Sequence, residues 1–126
     1  MIKVYLAHPF NYPGDPKQNR EEAREIAWKL TTKYGVTVFN PLDNFQCLEG
    51  NQSPFYIMTR CIDMLKQADV VFLTGKWAES AGCRTEYFVA RELPSIIVLQ
   101  ECEENRLQEL TLSAMNVKID RKGTDL

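Results

Sequence analysis

Histidine occurs once in these 126 residues, which excludes a site built from several histidines. The four cysteines, Cys47, Cys61, Cys83 and Cys102, form no C-x-x-C pair, so neither a zinc knuckle nor a redox dithiol is expected. No stretch approaches the ~18 apolar residues of a membrane span. The start, Met1-Ile2-Lys3-Val4-Tyr5-Leu6, turns polar too soon for a secretion signal. The expectation is therefore a cytoplasmic protein with free thiols. A basic excess is also missing: 15 Lys and Arg against 17 Asp and Glu leave a formal charge of −2. Proteins that track phosphate backbones carry such an excess, so no nucleic acid and no membrane is expected as a partner. A small anionic ligand needs only one local positive site and stays open. Repeats, low-complexity runs and linkers are absent too. With 44% hydrophobic and 25% charged residues, one domain spanning residues 1–126 is expected.

What is present alternates between two periods. Ile2 to Ala7 is a short apolar run with the character of a buried strand. His8 to Asp15 holds two prolines and a glycine and is expected as a loop. Asp15 then caps a helix with Pro16 at its first position; Ala23, Ile26, Ala27 and Leu30 carry its apolar side, and Gly35 ends it. Val36 to Phe39 is a second strand, stopped by Asn40-Pro41. Leu42 to Gln52 is expected as an irregular surface loop. Ser53-Pro54 repeats the cap and opens a helix with a stripe of Ile57, Cys61, Met64, Leu65 and Ala68. Asp69 to Thr74 and Ser95 to Leu99 are further strands, with a helix from Ser80 or Glu79 to about Glu92 between them. A last helix, Glu103 to Met115, precedes a short fifth strand at Val117 to Ile119 and a frayed end from Arg121 to Leu126.

Strands alternating with longer helices predict an α/β protein. The expected form is a three-layer, flavodoxin-like parallel sheet of order 2-1-3-4-5 with helices on both faces. Ligands in such sheets sit beyond the carboxyl ends of the strands, where the strand order reverses. Two segments fall there: the one after Ala7 and the one from Gly75 to Glu86. The second leads into a helix N-terminus, whose free N–H groups and dipole favour an anion. Ser80 adds a hydroxyl and Gly82 allows close approach of a ligand. The plainer alternative is that Ser80 only caps the helix. Glu86 lies six residues, or ~9 Å, along the same helix, and its side chain leans back toward the N-terminus. It is either a pocket carboxylate or a solvated one paired with Arg84 or Arg91. Of its helix neighbours, Cys83, Phe88 and Ala90 are taken as the inward, apolar side.

V-Y-L-A-H-P at Val4 to Pro9, and Q-A-D-V-V-F followed by W-x-x-S-A-G-C-R-T-E-Y-x-x-A up to Ala90, resemble the nucleoside 2-deoxyribosyltransferase-like family. This family includes deoxynucleoside 5′-monophosphate N-glycosidases. The Y-L-A-H-P and W-x-x-S-x-G-C motifs are similar to those of a bacterial and phage branch of it. The resemblance runs from Ile2 to about Leu99, and S-x-G-x-x-x-E is its most specific element. It implies Glu86 as the nucleophile on the anomeric carbon, Ser80 as a phosphate ligand and Tyr5 as an active-site tyrosine. No cofactor and no metal are expected. The resemblance also implies a homodimer or higher homo-oligomer, with the Leu42 to Gln52 loop or the last helix near the contact. The chain departs from the family at two places. His8 and Pro9 stand where a small residue meets the ligand. Cys61 stands where the glycosidases carry a helix aspartate. Asp63 is near in sequence, but two residues turn a helix by about 200°, which puts it on the face opposite Cys61. Asp63 is then a solvated acid or reaches a neighbouring subunit's site.

The chemistry so implied is cleavage of an N-glycosidic bond through an oxocarbenium-like transition state. Glu86 attacks, and Tyr5 orients it or the sugar. Ser80 and the Gly82 amide hold a phosphate. Glu79, Asp63 and His8 are candidate general acids, and Trp77 or Phe10 can stack on a base. A Cys83–His8 nucleophilic pair is the weaker alternative, since a packed thiol is commoner than a reactive one. The expected function is an N-glycosidase or deoxyribosyltransferase on a nucleoside or its 5′-monophosphate. The alternative is a nucleotide-binding protein, a sensor or sequestering factor, without turnover.

Overall fold

A computed structural model describes the backbone of residues 1–124 and the side chains through Met115. Strands β1 (Lys3–Ala7), β2 (Thr37–Phe39), β3 (Val70–Leu73) and β4 (Ile97–Gln100) form one parallel sheet in the order β2-β1-β3-β4. Val4 lies opposite both Val38 and Val70, and Val70 opposite Ile97, so the register is continuous across the sheet. The strand order 2-1-3-4 is flavodoxin-like, as expected for an α/β fold. The expected fifth strand does not form. Val117 to Ile119 lies inside the helix α5 (Arg106–Thr124). The helical run past Met115 continues to Thr124, so the segment expected to fray at Arg121 is helical; residues 125 and 126 lie outside the described part.

Strand alternation sorts the core into two halves. Val4, Leu6, Val70, Phe72 and Leu99 face one side, where Ala23, Leu30 and Tyr34 of α1 (Pro16–Tyr34) and Leu107 of α5 meet them. Tyr5, Ala7, Val71 and Leu73 face the other, against Cys61 and Leu65 of α3 (Pro54–Leu65) and Cys83 and Ala90 of α4 (Ala81–Arg91). Phe88 does not join this inward side of α4. It is 54% exposed, because it lies two positions from both Glu86 and Ala90, away from the buried stripe.

The helix starts follow their caps. Asp15 accepts from the Gln18 amide at 3.1 Å, Ser53 from Tyr56 at 3.1 Å and Ser80 from Cys83 at 3.3 Å. Gly35 ends α1 in the left-handed region at φ 68°, donating to the Thr31 carbonyl. The Leu42 to Gln52 segment is more regular than expected. It holds a single helical turn, α2 (Pro41–Asn44), and a 3-10 turn at Gln46–Leu48. Pro41 at the first position of α2 starts that turn. All four cysteines are free thiols, Cys61 and Cys83 buried and Cys47 and Cys102 exposed. Among the described residues no helix is long and apolar enough to cross a membrane.

Gly75 closes β3 at φ 60°, and a Cβ built there would stand 3.0 Å from His8 Cε1. Left-handed backbone and a packed ring act together, so Gly75→Ala is expected to destabilise the protein by about 2 kcal/mol. Urea unfolding of the variant checks this, and a loss below about 0.5 kcal/mol would mean the ring moves aside freely.

Candidate functional site

Beyond the carboxyl ends of β1 and β3 lies an open cavity of about 570 Å³. Its walls are mostly apolar, from Phe10 after β1, Leu42 and Phe45 of the short helical segment, Ile57 and Met58 of α3, and Cys83 of α4. Its polar groups include His8, Asn11, Glu49, Gln52, Ser80 and Glu86. Apolar walls with a few convergent polar groups are the common form of a small-molecule site.

Glu86 sits at the inner wall, 5% exposed. The Tyr5 hydroxyl donates a hydrogen bond to its carboxylate. Tyr5 is fully buried and reaches Glu86 because it lies on the face of β1 that α4 covers. Burial pushes the Glu86 carboxyl up to about 7, and the Tyr5 hydroxyl only partly opposes that shift. The Tyr5 phenol is itself held well above its usual range, first by burial and then by the neighbouring Glu86 charge. It therefore remains a proton donor to Glu86. The solvated alternative for Glu86, paired with Arg84 or Arg91, does not occur. Arg84 donates to the Ala78 carbonyl at 3.0 Å, and Arg91 lies beside Glu92 and over the Tyr87 and Phe88 rings.

His8 is brought to the site but is fully engaged. Its Nδ1 is 2.8 Å from Thr74 Oγ1 and its Nε2 3.1 Å from a Glu22 oxygen. Thr74 has one hydroxyl proton, shared between His8 and the Ala7 carbonyl at 3.1 Å. In neutral His8, Thr74 donates to Nδ1 and Nε2–H donates to Glu22, while the Ala7 carbonyl keeps the Thr74 amide at 2.9 Å. Burial lowers the His8 pKa, against the pull of Glu22 and Glu101. With both nitrogens committed, His8 orients the loop and leaves no proton facing the cavity. Pro9 is buried behind it and lines a smaller cavity of about 240 Å³ on the far side of the ring, not the main one.

Three other expected residues lie elsewhere. Asp63 is on the exposed face of α3, 3.5 Å from Arg60, as its helical phase requires. Glu79 is exposed and outside the cavity wall. Trp77 packs on Tyr87 with ring centroids 5.2 Å apart and anchors the loop rather than facing the cavity. Phe10 does line the cavity, but the Arg20 guanidinium lies 5.4 Å from its ring centre. Ser80 and Gly82 also line it. Ser80 Oγ spends an acceptor site on the cap. Gly82 has a packing reason as well, since a Cβ there would stand 3.1 Å from Met58 Cε.

The two buried thiols are held in the protonated form. Burial, with the Glu86 charge adding, pushes Cys61 up to about 11 and Cys83 up to about 12. For Cys83 this outweighs the lowering expected at a helix N-terminus. Residues not singled out in the sequence also shape the site: Glu22 and Thr74 hold His8, and Glu49 enters the cavity on a salt bridge from Arg20. A threonine ending the otherwise apolar V-V-F-L run was a usable signal for Thr74. Glu22 and Glu49 had none, being ordinary polar residues of a helix and a loop. Among the described residues, no three His, Cys, Asp or Glu side chains cluster as a metal site would need.

Comparisons with known proteins agree with this architecture. Residues 2–99 match the family model described as "Domain of unknown function (DUF4406)". The curated proteins contain no significant match. Among solved structures, the chain is similar to a 2-desoxiribosyltransferase from Leishmania mexicana, with TM-score 0.58 and 18% identity over 79% of this chain and 63% of that one. The chain thus spans under two thirds of that protein's length. It is also similar to a 2-deoxyribosyltransferase from Bacillus psychrosaccharolyticus, with TM-score 0.57 and 21% identity over 78% of this chain and 72% of that one.

The raised Glu86 pKa links stability to pH. The folded protein holds this proton more tightly than the unfolded chain, whose carboxyl titrates near 4.5. The stability from Glu86 is therefore complete below pH 4.5 and lost as pH rises through about 7. The loss amounts to about 3 kcal/mol. Glu86→Gln is expected to remove this slope. Urea unfolding of both proteins from pH 4.5 to 8 checks it, the difference between them isolating Glu86 from His8. Parallel stability curves would refute the assignment.

Proposed function

The chain belongs to the DUF4406 family, and on that footing we propose that it is an N-glycosidase or deoxyribosyltransferase acting on a nucleoside or nucleoside 5′-monophosphate through Glu86. One observation carries the reading. A buried carboxyl, hydrogen-bonded by a buried tyrosine, stands at the inner wall of a largely apolar cavity at the reversal point of a parallel sheet. The likeness to two 2-deoxyribosyltransferase folds supports the substrate class.

In the reaction, a Glu86 oxygen forms a bond to the anomeric carbon as the C–N bond breaks. The electron pair of that bond leaves with the base, whose nitrogen takes up a proton from solvent water at the open cavity; the incoming nucleophile of the second step gives a proton back. Water or a second base then attacks the same carbon and releases the carboxylate, giving hydrolysis or transfer. Tyr5 holds the attacking carboxylate in place, a positioning role. Apolar walls exclude water and strengthen the attraction between the carboxylate and the developing positive charge. The same reading includes a homo-oligomer. Phe55 supports it, lining the cavity mouth while 79% exposed. Light scattering that returns a monomer would remove that part.

A second reading, ligand binding without turnover, draws on one observation. Glu79 and Asp63 lie outside the cavity, and both nitrogens of His8 are engaged. No candidate acid from the sequence is thus free to protonate the leaving base.

The test is base release from a panel of ribo- and deoxynucleosides and their 5′-monophosphates. Turnover is expected, with Glu86→Gln slower by at least about a thousandfold. Because the carboxylate is the reactive form, the rate should rise with pH through about 7. Binding with no base released from any panel member would favour the second reading.

A further inference from the structure

The cavity's charge arrangement narrows the ligand within the reading just given, on which this inference rests. Two carboxylates, Glu49 and Glu86, line the cavity, and among the described residues no lysine or arginine does. The guanidinium beside Phe10 and Glu49 of the cavity wall is already committed. Arg20 Nη2 donates to both Glu49 oxygens at 2.6 Å, and the Arg20 guanidinium lies over the Phe10 ring. The Arg20 side chain is 14% exposed and that of Glu49 31%, so this is a partly buried pair.

The pair joins three separate pieces of chain. Phe10 follows β1, Arg20 lies on α1, and Glu49 ends the 3-10 turn at the cavity mouth. Glu49 is thereby held at the cavity wall. A phosphate dianion entering here would lose hydration without gaining an uncommitted cation, and would stand in one cavity with the Glu86 carboxylate. The first turn of α4 offers amide N–H groups and the Ser80 hydroxyl proton, whose oxygen accepts the Cys83 amide, but adds no full positive charge to the cavity wall to offset a dianion. A neutral sugar carries no such cost. Its hydroxyl protons suit a carboxylate acceptor whose charge is balanced by Arg20.

We infer that Glu49, fixed by Arg20 and Phe10, is a specificity-determining residue that selects unphosphorylated nucleosides over their 5′-monophosphates. Glu49→Gln keeps the side chain's size and frees the Arg20 charge, so the variant should accept monophosphates better. Glu49→Ala removes the partner altogether and serves as the second variant.

The experiment measures kcat/KM for matched pairs of deoxynucleoside and 5′-monophosphate. In parallel, calorimetry measures binding of the same pairs to Glu86→Gln, alone and combined with each Glu49 variant. The unmodified protein should prefer the nucleoside by at least about tenfold, and each Glu49 variant should narrow that preference by about tenfold. Equal or better use of the monophosphate would overturn the inference while leaving the Glu86 reaction intact. A preference unmoved in both Glu49 variants would overturn the role of Glu49. Nucleoside-selective binding without any base release would support the inference and defeat the turnover reading instead. Binding of neither ligand would defeat both.

Discussion

A carboxyl group buried against a phenol is the constraint around which this protein is arranged. Glu86 is almost without solvent and, among the described residues, has no cationic partner; the Tyr5 hydroxyl donates to it. Such a group is costly to ionise, and its carboxyl is poised near neutrality as a result. Holding it there requires rigid support on both sides. Tyr5 comes from a central strand paired on each edge, and Glu86 from a helix whose other buried residues, Cys83 and Ala90, are small enough to bring the helix close to the sheet. The stability of the fold is in this sense spent on keeping one carboxyl dry, a pattern common where a side chain must react.

The rest of the site follows from the same sheet. Parallel strands all end on one side, so the segments after β1 and β3 meet there, and His8 finds Thr74 across the strand pair. His8 looked from the sequence like a candidate proton donor. In the fold it is a brace, with one nitrogen on Thr74 and the other on Glu22. Its ring packs over Gly75, which explains why the tight turn after β3 carries no side chain. The brace holds the loop that carries Phe10, and Phe10 in turn covers the guanidinium that fixes Glu49. Positioning thus passes from the strand ends to the cavity mouth through short, nearly contiguous contacts.

Most of the fold was legible in the sequence because its signals are local. Asp15-Pro16, Ser53-Pro54 and Ser80 mark helix starts, and Gly35 a helix end, since each satisfies backbone groups within a few residues. The exceptions have physical reasons. Val117 to Ile119 has strand-like residues, yet it continues a helix already begun, and intrinsic strand preference yields to such context. Leu42 to Gln52 has no apolar period, but one proline at a first helical position suffices for a turn. Trp77 was ambiguous because an aromatic in a loop serves ligand or core equally well; its neighbour Tyr87 decides for the core.

The family resemblance alone joined Tyr5 and Glu86 in one site; the sequence by itself determined the alternation of strands and helices and the sheet end at which the segments after β1 and β3 meet. These depend on period, caps and strand direction, all of which act over a few residues or follow from parallel topology. Only the tertiary structure decided what the remaining polar groups do. It gave both nitrogens of His8 to partners, turned Asp63 to solvent and set Glu49 on the cavity wall under Arg20. Arg20 and Glu49 are 29 residues apart and His8 and Thr74 are 66 apart. No local pattern encodes such pairs, because what joins them is the packing of separate elements and the requirement that buried polar groups find partners.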